Sequence, residues 1–181
     1  YDGADRLAAV RSLLAGSRVR REGRNLAAFA AWGVRTPPLV AYGEERRAGR
    51  FRRGAIVTRE AAGTVDLASL AAAGDARLRD RAWVAAVSAQ VAAFTRTLHA
   101  HGFAHNDLKW RNILVDDGDQ PRVWFIDCPF GRRWAGPFLR YRIVKDLACL
   151  DKIAKRQLSR TQRLRFYLDY AGHSRLAAAD K

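Results

Sequence analysis

The stretch HNDLKWRN, His105 to Asn112, crowds a histidine, an acid, a lysine and an amide together just before an apolar, strand-like run. Asp107 precedes Asn112 by five residues, and Lys109 follows Asp107 by two. After the turn-like DDGDQP, the segment RVWFID ends in a second aspartate, Asp127. Two short strands joined by that turn would return Asp127 to the side of Asn112. Phosphoryl transfer needs such a set, because a carboxylate must orient the acceptor hydroxyl close to two oxygen ligands for Mg²⁺. Asp107, Asn112 and Asp127 have that chemistry, and Lys109 could neutralise the phosphoryl group in flight. Taken singly, Asp107 could cap a turn and Asp127 could simply end a strand; their joint occurrence is what points to chemistry.

The elements that must hold these residues follow from periodicity. Asp5 to about Leu14 and Val19 to Trp32 carry apolar positions at helical spacing, and Gly33 is placed to stop the second helix. The TPP at Thr36–Pro38 breaks that pattern. LVAYGEE and GAIVTRE, on either side of RRAGR, then predict an antiparallel hairpin. Thr64 or Asp66 could cap a short helix through Leu70, and Arg77 to His101 predicts a long helix with Gly102 beyond its end. Strands are expected at Ile113–Val115 and Val123–Ile126, a loop from Pro129 to Arg142, and helices at about Ile143–Lys155 and Thr161–Tyr170, the last capped by Ser159 or Thr161. The order is α+β, with strands in two separate groups.

Bulk properties narrow the possibilities. A length of 181 residues suits one domain with its own core. Lys plus Arg outnumber Asp plus Glu by 33 to 18, a net +15 that favours anionic partners: nucleic acid, lipid headgroups, phosphorylated glycans or nucleotides. No zinc-finger or RNA-binding aromatic signature occurs, so nucleic acid is not expected. Cys128 and Cys149 lack metal-ligand spacing, which makes ordinary thiols in a reducing compartment the default. His99, His101 and His105 lack the companions of a zinc site. No apolar run reaches the roughly 18 residues of a membrane span. The chain opens on Tyr1 and contains no Met, so an upstream segment is expected.

HNDLKWRN and IDCPFG resemble the H-R-D-L-x-x-x-N catalytic loop and the D-F-G segment of protein-kinase-like enzymes, and LHAHGFAHNDL resembles the corresponding run of kinases acting on small molecules and sugars. With RREGRNLAAFAAWGVRTPPLVAYGEE, IVTREAAGTVDLASL and KDLACLDKIAKRQLSRTQRLRFYLDY, the chain is similar to the bacterial lipopolysaccharide core sugar kinases, the Kdo/heptose kinase family. The resemblance implies a protein-kinase-like α+β fold, with a truncated N-terminal lobe over residues 1–60 and a helical C-terminal lobe over 61–181. It implies ATP and Mg²⁺ as cofactors and a Kdo or heptose hydroxyl of the lipopolysaccharide core and lipid A acceptor as substrate. It places the work at the cytoplasmic face of the inner membrane, with peripheral contact to an anionic surface; oligomeric state is left open.

Carried over residue by residue, Asp107 is the catalytic base, with Lys109 beside it, and Asn112 and Asp127 are the metal ligands. Glu22 matches the helix glutamate that pairs with an ATP-binding lysine, although it could equally form a helix-face ion pair with Arg18. Ile56, Val57, Thr58, Arg59 and Glu60 match the hinge strand whose backbone meets adenine, and Asp146 is expected to tether the catalytic loop from below. Trp110 is either a packing residue or a platform for sugar stacking. The chain departs from the pattern in three places. No glycine-rich loop or strand lysine precedes Glu22, and both are expected upstream of Tyr1. Asn106 replaces the usual Arg, and Cys128–Pro129 replace Phe–Gly, with Pro129 lacking an N–H. An aminoglycoside-type or other small-molecule kinase, and a catalytically silent kinase-like module, are the alternatives.

Overall fold

The computed structural model describes residues 17–118 and 120–176; the helix expected from Asp5 lies outside them. Ser17 opens α1 (Arg18–Ala31) by accepting the Arg20 N–H, and the helix buries Gly23, Asn25, Leu26 and Phe29 on one face. Gly33, at φ 75°, follows the helix end, as its position predicts. Strands β1 (Leu39–Arg47) and β2 (Arg50–Thr58) pair antiparallel. Their two-residue turn, Ala48–Gly49, has φ of 48° and 75°, the left-handed pair that matches strand twist. α1 packs closely on this hairpin: a Cβ on Gly23 would lie 2.5 Å from the ring of Tyr42.

Beyond the hairpin, Thr64 lies in a strand, β3 (Thr64–Asp66), and it is Asp66 that caps α2 (Leu67–Ala73) by accepting the Ser69 N–H. The long helix α3 (Arg81–Ala100) starts later than its periodicity suggests. Asp80 accepts the N–H groups of Ala82 and Trp83, and residues Ala76–Arg79 turn as a separate 3-10 segment. Next come β4 (Phe103–Ala104), a 3-10 turn (Trp110–Asn112), β5 (Ile113–Asp116), β6 (Val123–Phe125) and β7 (Arg132–Arg133). Helices α4 (Gly136–Gln157) and α5 (Arg160–Ala171) follow. The expected loop up to Arg142 is shorter than predicted because α4 starts at Gly136, with Pro137 in its first turn, where a missing N–H costs nothing. Ser159 caps α5 in a reciprocal box with Gln162.

The strands form three small sheets, β1–β2, β3–β5–β6 and β4–β7. Phe29, Val34, Leu98, Phe103, Leu108, Ile113, Val115, Val123 and Phe125 are buried in the core, with Phe29 edge-on to Phe103 at 5.5 Å. This core lies directly beneath the segment 105–112, since Leu108 and Trp110 belong to both. The Phe125 N–H donates to Arg35 O at 2.9 Å, which fastens the chain leaving α1 to β6. The mixture of helix with small antiparallel sheets is the expected α+β class.

Candidate active site

The loop after β4 folds around Asp107. The Asn112 amide Nδ2 donates to the Asp107 carbonyl at 2.8 Å and reaches its carboxylate Oδ2 at 3.3 Å. The backbone N–H groups of Lys109 and Asn112 donate to Asp107 O and Lys109 O, each at 2.9 Å. Lys109 Nζ stands 2.5 Å from Asp107 Oδ1, and Arg111 lies 3.8 Å from Oδ2. Strand pairing then delivers Asp127. Ile113 is registered with Phe125, and the Ile126 N–H donates to Asn112 O at 3.0 Å. The residue after Ile126 therefore emerges next to Asn112, as the turn between the two strands predicts. Trp110 is buried, with its indole N–H on Leu150 O at 3.0 Å, which makes it a packing residue.

Beneath the loop, Asp146 of α4 is 1% exposed and accepts two consecutive backbone N–H groups, from His105 at 2.7 Å and Asn106 at 2.9 Å. His99 lies 3.4 Å from the same carboxylate through Nε2, and its Nδ1 meets the Tyr170 hydroxyl at 2.8 Å. The expected tether is therefore present, with a buried histidine behind it. Asn106 adopts φ 63°, a conformation asparagine tolerates, and its amide donates to Ala104 O and Phe130 O. His105 is fully buried, and burial pushes its pKa down despite the carboxylates of Asp146, Asp107 and Asp127 and the backbone of Ile126.

Asp127 is exposed, at φ 55°. Opposite it lies Glu22, whose carboxyl is pushed up from its ordinary value, first by partial burial and then by the Asp127 carboxylate. Arg18 does not pair with Glu22; its guanidinium sits 5.1 Å from the Phe130 ring centroid. Among the described residues Glu22 has no cation of its own. Three residues along the same helix, buried Asn25 donates to Cys128 O at 2.7 Å and Gly131 O at 3.0 Å. Cys128 is fully buried, and burial raises its thiol pKa well above the ordinary value.

The donor set suits a hard cation. The Asp127 carboxylate is near enough to raise the pKa of Glu22, while Asn112 commits its Nδ2 to Asp107 and so keeps Oδ1 as an oxygen donor. Among the described residues no group of three or more His, Cys, Asp or Glu side chains could hold a metal ion alone. A cation here needs oxygens from a phosphate to complete its shell.

Ile56, Val57, Thr58, Arg59 and Glu60 lie at the end of β2 and just beyond it. Ile56 packs partly on the core, Val57 is half exposed, and the Arg59 N–H donates to Pro38 O at 2.8 Å. Asn25 is the residue that sequence reasoning missed. Its one signal is a polar side chain on the apolar face of α1, in step with Leu26 and Phe29.

A model of the lipopolysaccharide kinase (Kdo/WaaP) family matches residues 7–170. Among solved structures, the chain is similar to WaaP in complex with acyl carrier protein, with 30% identity and a TM-score of 0.69. That match covers 86% of this chain and 66% of the other, so the chain spans just under two thirds of that protein's length. The crystal structure of the Rad53 kinase domain and SCD2 aligns over 88% of this chain and 65% of its own, with 17% identity and a TM-score of 0.49. No curated protein matches in sequence.

Proposed function

The chain belongs to the lipopolysaccharide kinase (Kdo/WaaP) family, and on that footing we propose that it transfers the γ-phosphoryl group of ATP to a Kdo or heptose hydroxyl of the lipopolysaccharide inner core. The observation that carries this reading is the assembly of Asp107, Lys109 and Asn112 in one hydrogen-bonded loop, with the Ile126 N–H donating to Asn112 and so setting Asp127 alongside. The acceptor oxygen forms the new bond to phosphorus, the bond to the bridging oxygen of ADP breaks, and Asp107 takes the hydroxyl proton. Lys109, already at the Asp107 carboxylate, offsets charge on the phosphoryl group. Asn112 and Asp127 would hold Mg²⁺, which when bound neutralises phosphate charge.

In this reading residues 1–60 belong to the N-terminal lobe and 61–181 to the C-terminal lobe, with Ile56 to Glu60 meeting adenine at their junction. Glu22 awaits a lysine from the ATP site, which accounts for its lack of a cation partner among the described residues. The acceptor is core glycan on lipid A, approached at an anionic membrane surface, and nucleic acid is not a partner. Among the described residues no helix is long and apolar enough to cross a membrane. The test is a mass-spectrometric phosphorylation assay with ATP, offering soluble core glycans that end in Kdo or in heptose. A gain of one phosphate on a single sugar type supports the reading and names the acceptor; faster phosphorylation of an aminoglycoside, or no transfer by the full protein, overturns it.

A further inference from the structure

Outside the segment that follows Asp127, many of the cations of this chain contact a carboxylate. Arg46, Arg53, Arg77, Arg122, Arg163 and Arg165 each pair with an acid. By contrast Arg132, Arg133, Arg140, Arg142 and Lys145 have no carboxylate partner among the described residues. No Asp or Glu occurs between Cys128 and Lys145, and Asp146 is buried under the catalytic loop.

Four of these five cations lie on aromatic rings, with Arg133 5.6 Å from the Trp32 ring centroid. Arg132 and Arg142 flank Trp134, at 4.1 and 4.5 Å from its ring centroid, and Arg142 and Lys145 lie 5.7 and 5.5 Å from that of Tyr141. Between them the first half of α4 turns its apolar side chains outward: Phe138 is 70%, Val144 63% and Tyr141 56% exposed. Phe138, Tyr141 and Lys145 recur at the spacing of one helix face, with Val144 at its edge.

We infer that the β7–α4 face, Arg132 to Lys145, docks the protein on an anionic lipid bilayer. Its exposed apolar side chains enter the headgroup boundary and its unpaired cations meet lipid phosphates. An anionic bilayer offers both complements, negative charge at the surface and an apolar layer about 5–10 Å below it. A nucleic-acid backbone would match the cations and leave Phe138 and Val144 in water. The face adjoins the catalytic loop, since Phe130 O accepts from Asn106, the neighbour of Asp107, and Ala104 of β4 is registered with Arg132. A lipid-borne acceptor would thus enter beside Asp107; that last step rests on the function proposed above, while the docking face itself does not.

The test is co-sedimentation of the full protein with phosphatidylcholine vesicles, with and without phosphatidylglycerol, alongside phosphorylation of a soluble deacylated core glycan. The parent should sediment with the anionic vesicles alone. Phe138→Ser with Val144→Ser should weaken that binding about tenfold, and Arg140→Gln with Lys145→Gln should weaken it by at least about fivefold. Both double variants should phosphorylate the soluble glycan at the parent rate. Equal sedimentation with neutral vesicles, or variants that bind like the parent, overturns the inference. So does binding of polyglutamate without binding of vesicles, which would assign the face to an acidic peptide. Failure to phosphorylate the soluble glycan with vesicle binding intact overturns the kinase reading instead.

Discussion

The carboxylate of Asp146 accepts the backbone N–H of His105 at 2.7 Å, across 41 residues of chain and from a side chain with 1% exposure. Its second oxygen accepts the Asn106 N–H, so one buried anion sets the direction of the chain entering Asp107. Removal of that anion leaves one buried and one half-buried donor unsatisfied. Asp146→Ala should therefore cost at least about 2 kcal/mol in urea unfolding and slow turnover more than it weakens ATP binding. Unfolding at the parent midpoint would show that water replaces the carboxylate at no cost.

Asp107 should carry the acceptor chemistry. General-base contributions run from about 10² to 10⁴ in rate, so Asp107→Asn should lower glycan phosphorylation by at least the smaller factor while Mg·ATP affinity stays near the parent value. An affinity loss equal to the rate loss would recast Asp107 as a metal-positioning residue.

For the cation, the prediction is one of binding. Asp127→Ala should weaken Mg·ATP in a calorimetric titration, because the site has too few oxygen donors of its own to spare one. Unchanged affinity would remove Asp127 from the metal site.

Asn25 offers a test remote from the reacting atoms. Asn25→Leu fills the space but strips two carbonyls, Cys128 O and Gly131 O, of their donor. The expected loss is about 1–3 kcal/mol of stability, together with weaker Mg·ATP binding as the segment after Asp127 loosens. Parent-like stability with parent-like binding would reduce the pair of bonds to incidental contacts.

Asp116 makes the turn that aligns the two site strands sensitive to acid. Burial opposes its ionisation, but the backbone N–H and guanidinium of Arg122, at 2.7 and 2.6 Å, outweigh burial and hold the carboxyl below its usual 3.8. Because the folded value is the lower one, the stabilisation is present above the usual value and disappears as the pH falls through the depressed one. Asp116→Asn should lower the unfolding midpoint at pH 7, by an amount that shrinks progressively as the pH is taken below 3.8. A deficit independent of pH would place the effect in packing instead of charge.

Much of this site is legible from local signals. The fixed interval from Asp107 to Asn112 and the short hairpin returning Asp127 are properties of adjacent residues, as are the helical face of α1 and the β1–β2 turn. What escapes sequence reading depends on distant partners. β3 has three residues and little periodicity, and it exists because β5 pairs with it. The start of α4 reads as a loop because Gly136 and Pro137 punctuate it, yet proline is well placed in a first turn. Asn25, a polar residue on an apolar helix face, finds its partners only in Cys128 and Gly131, more than 100 residues away.

The burial of Cys128 bears on inhibitor design. Its Sγ faces His105 O at 3.8 Å, its carbonyl is held by Asn25, and the next residue is Pro129. Compounds that inhibit kinases by capturing the metal-binding segment after it has swung outward depend on a side chain leaving its pocket and a flexible residue following it. Here that departure must break the Asn25 bond and pull a packed thiol out of the core, with a ring-locked φ next in line. On the function proposed above, selective inhibitors of this chain should therefore compete directly for the nucleotide or glycan positions, and libraries built on outward-swung kinases should yield few hits against it.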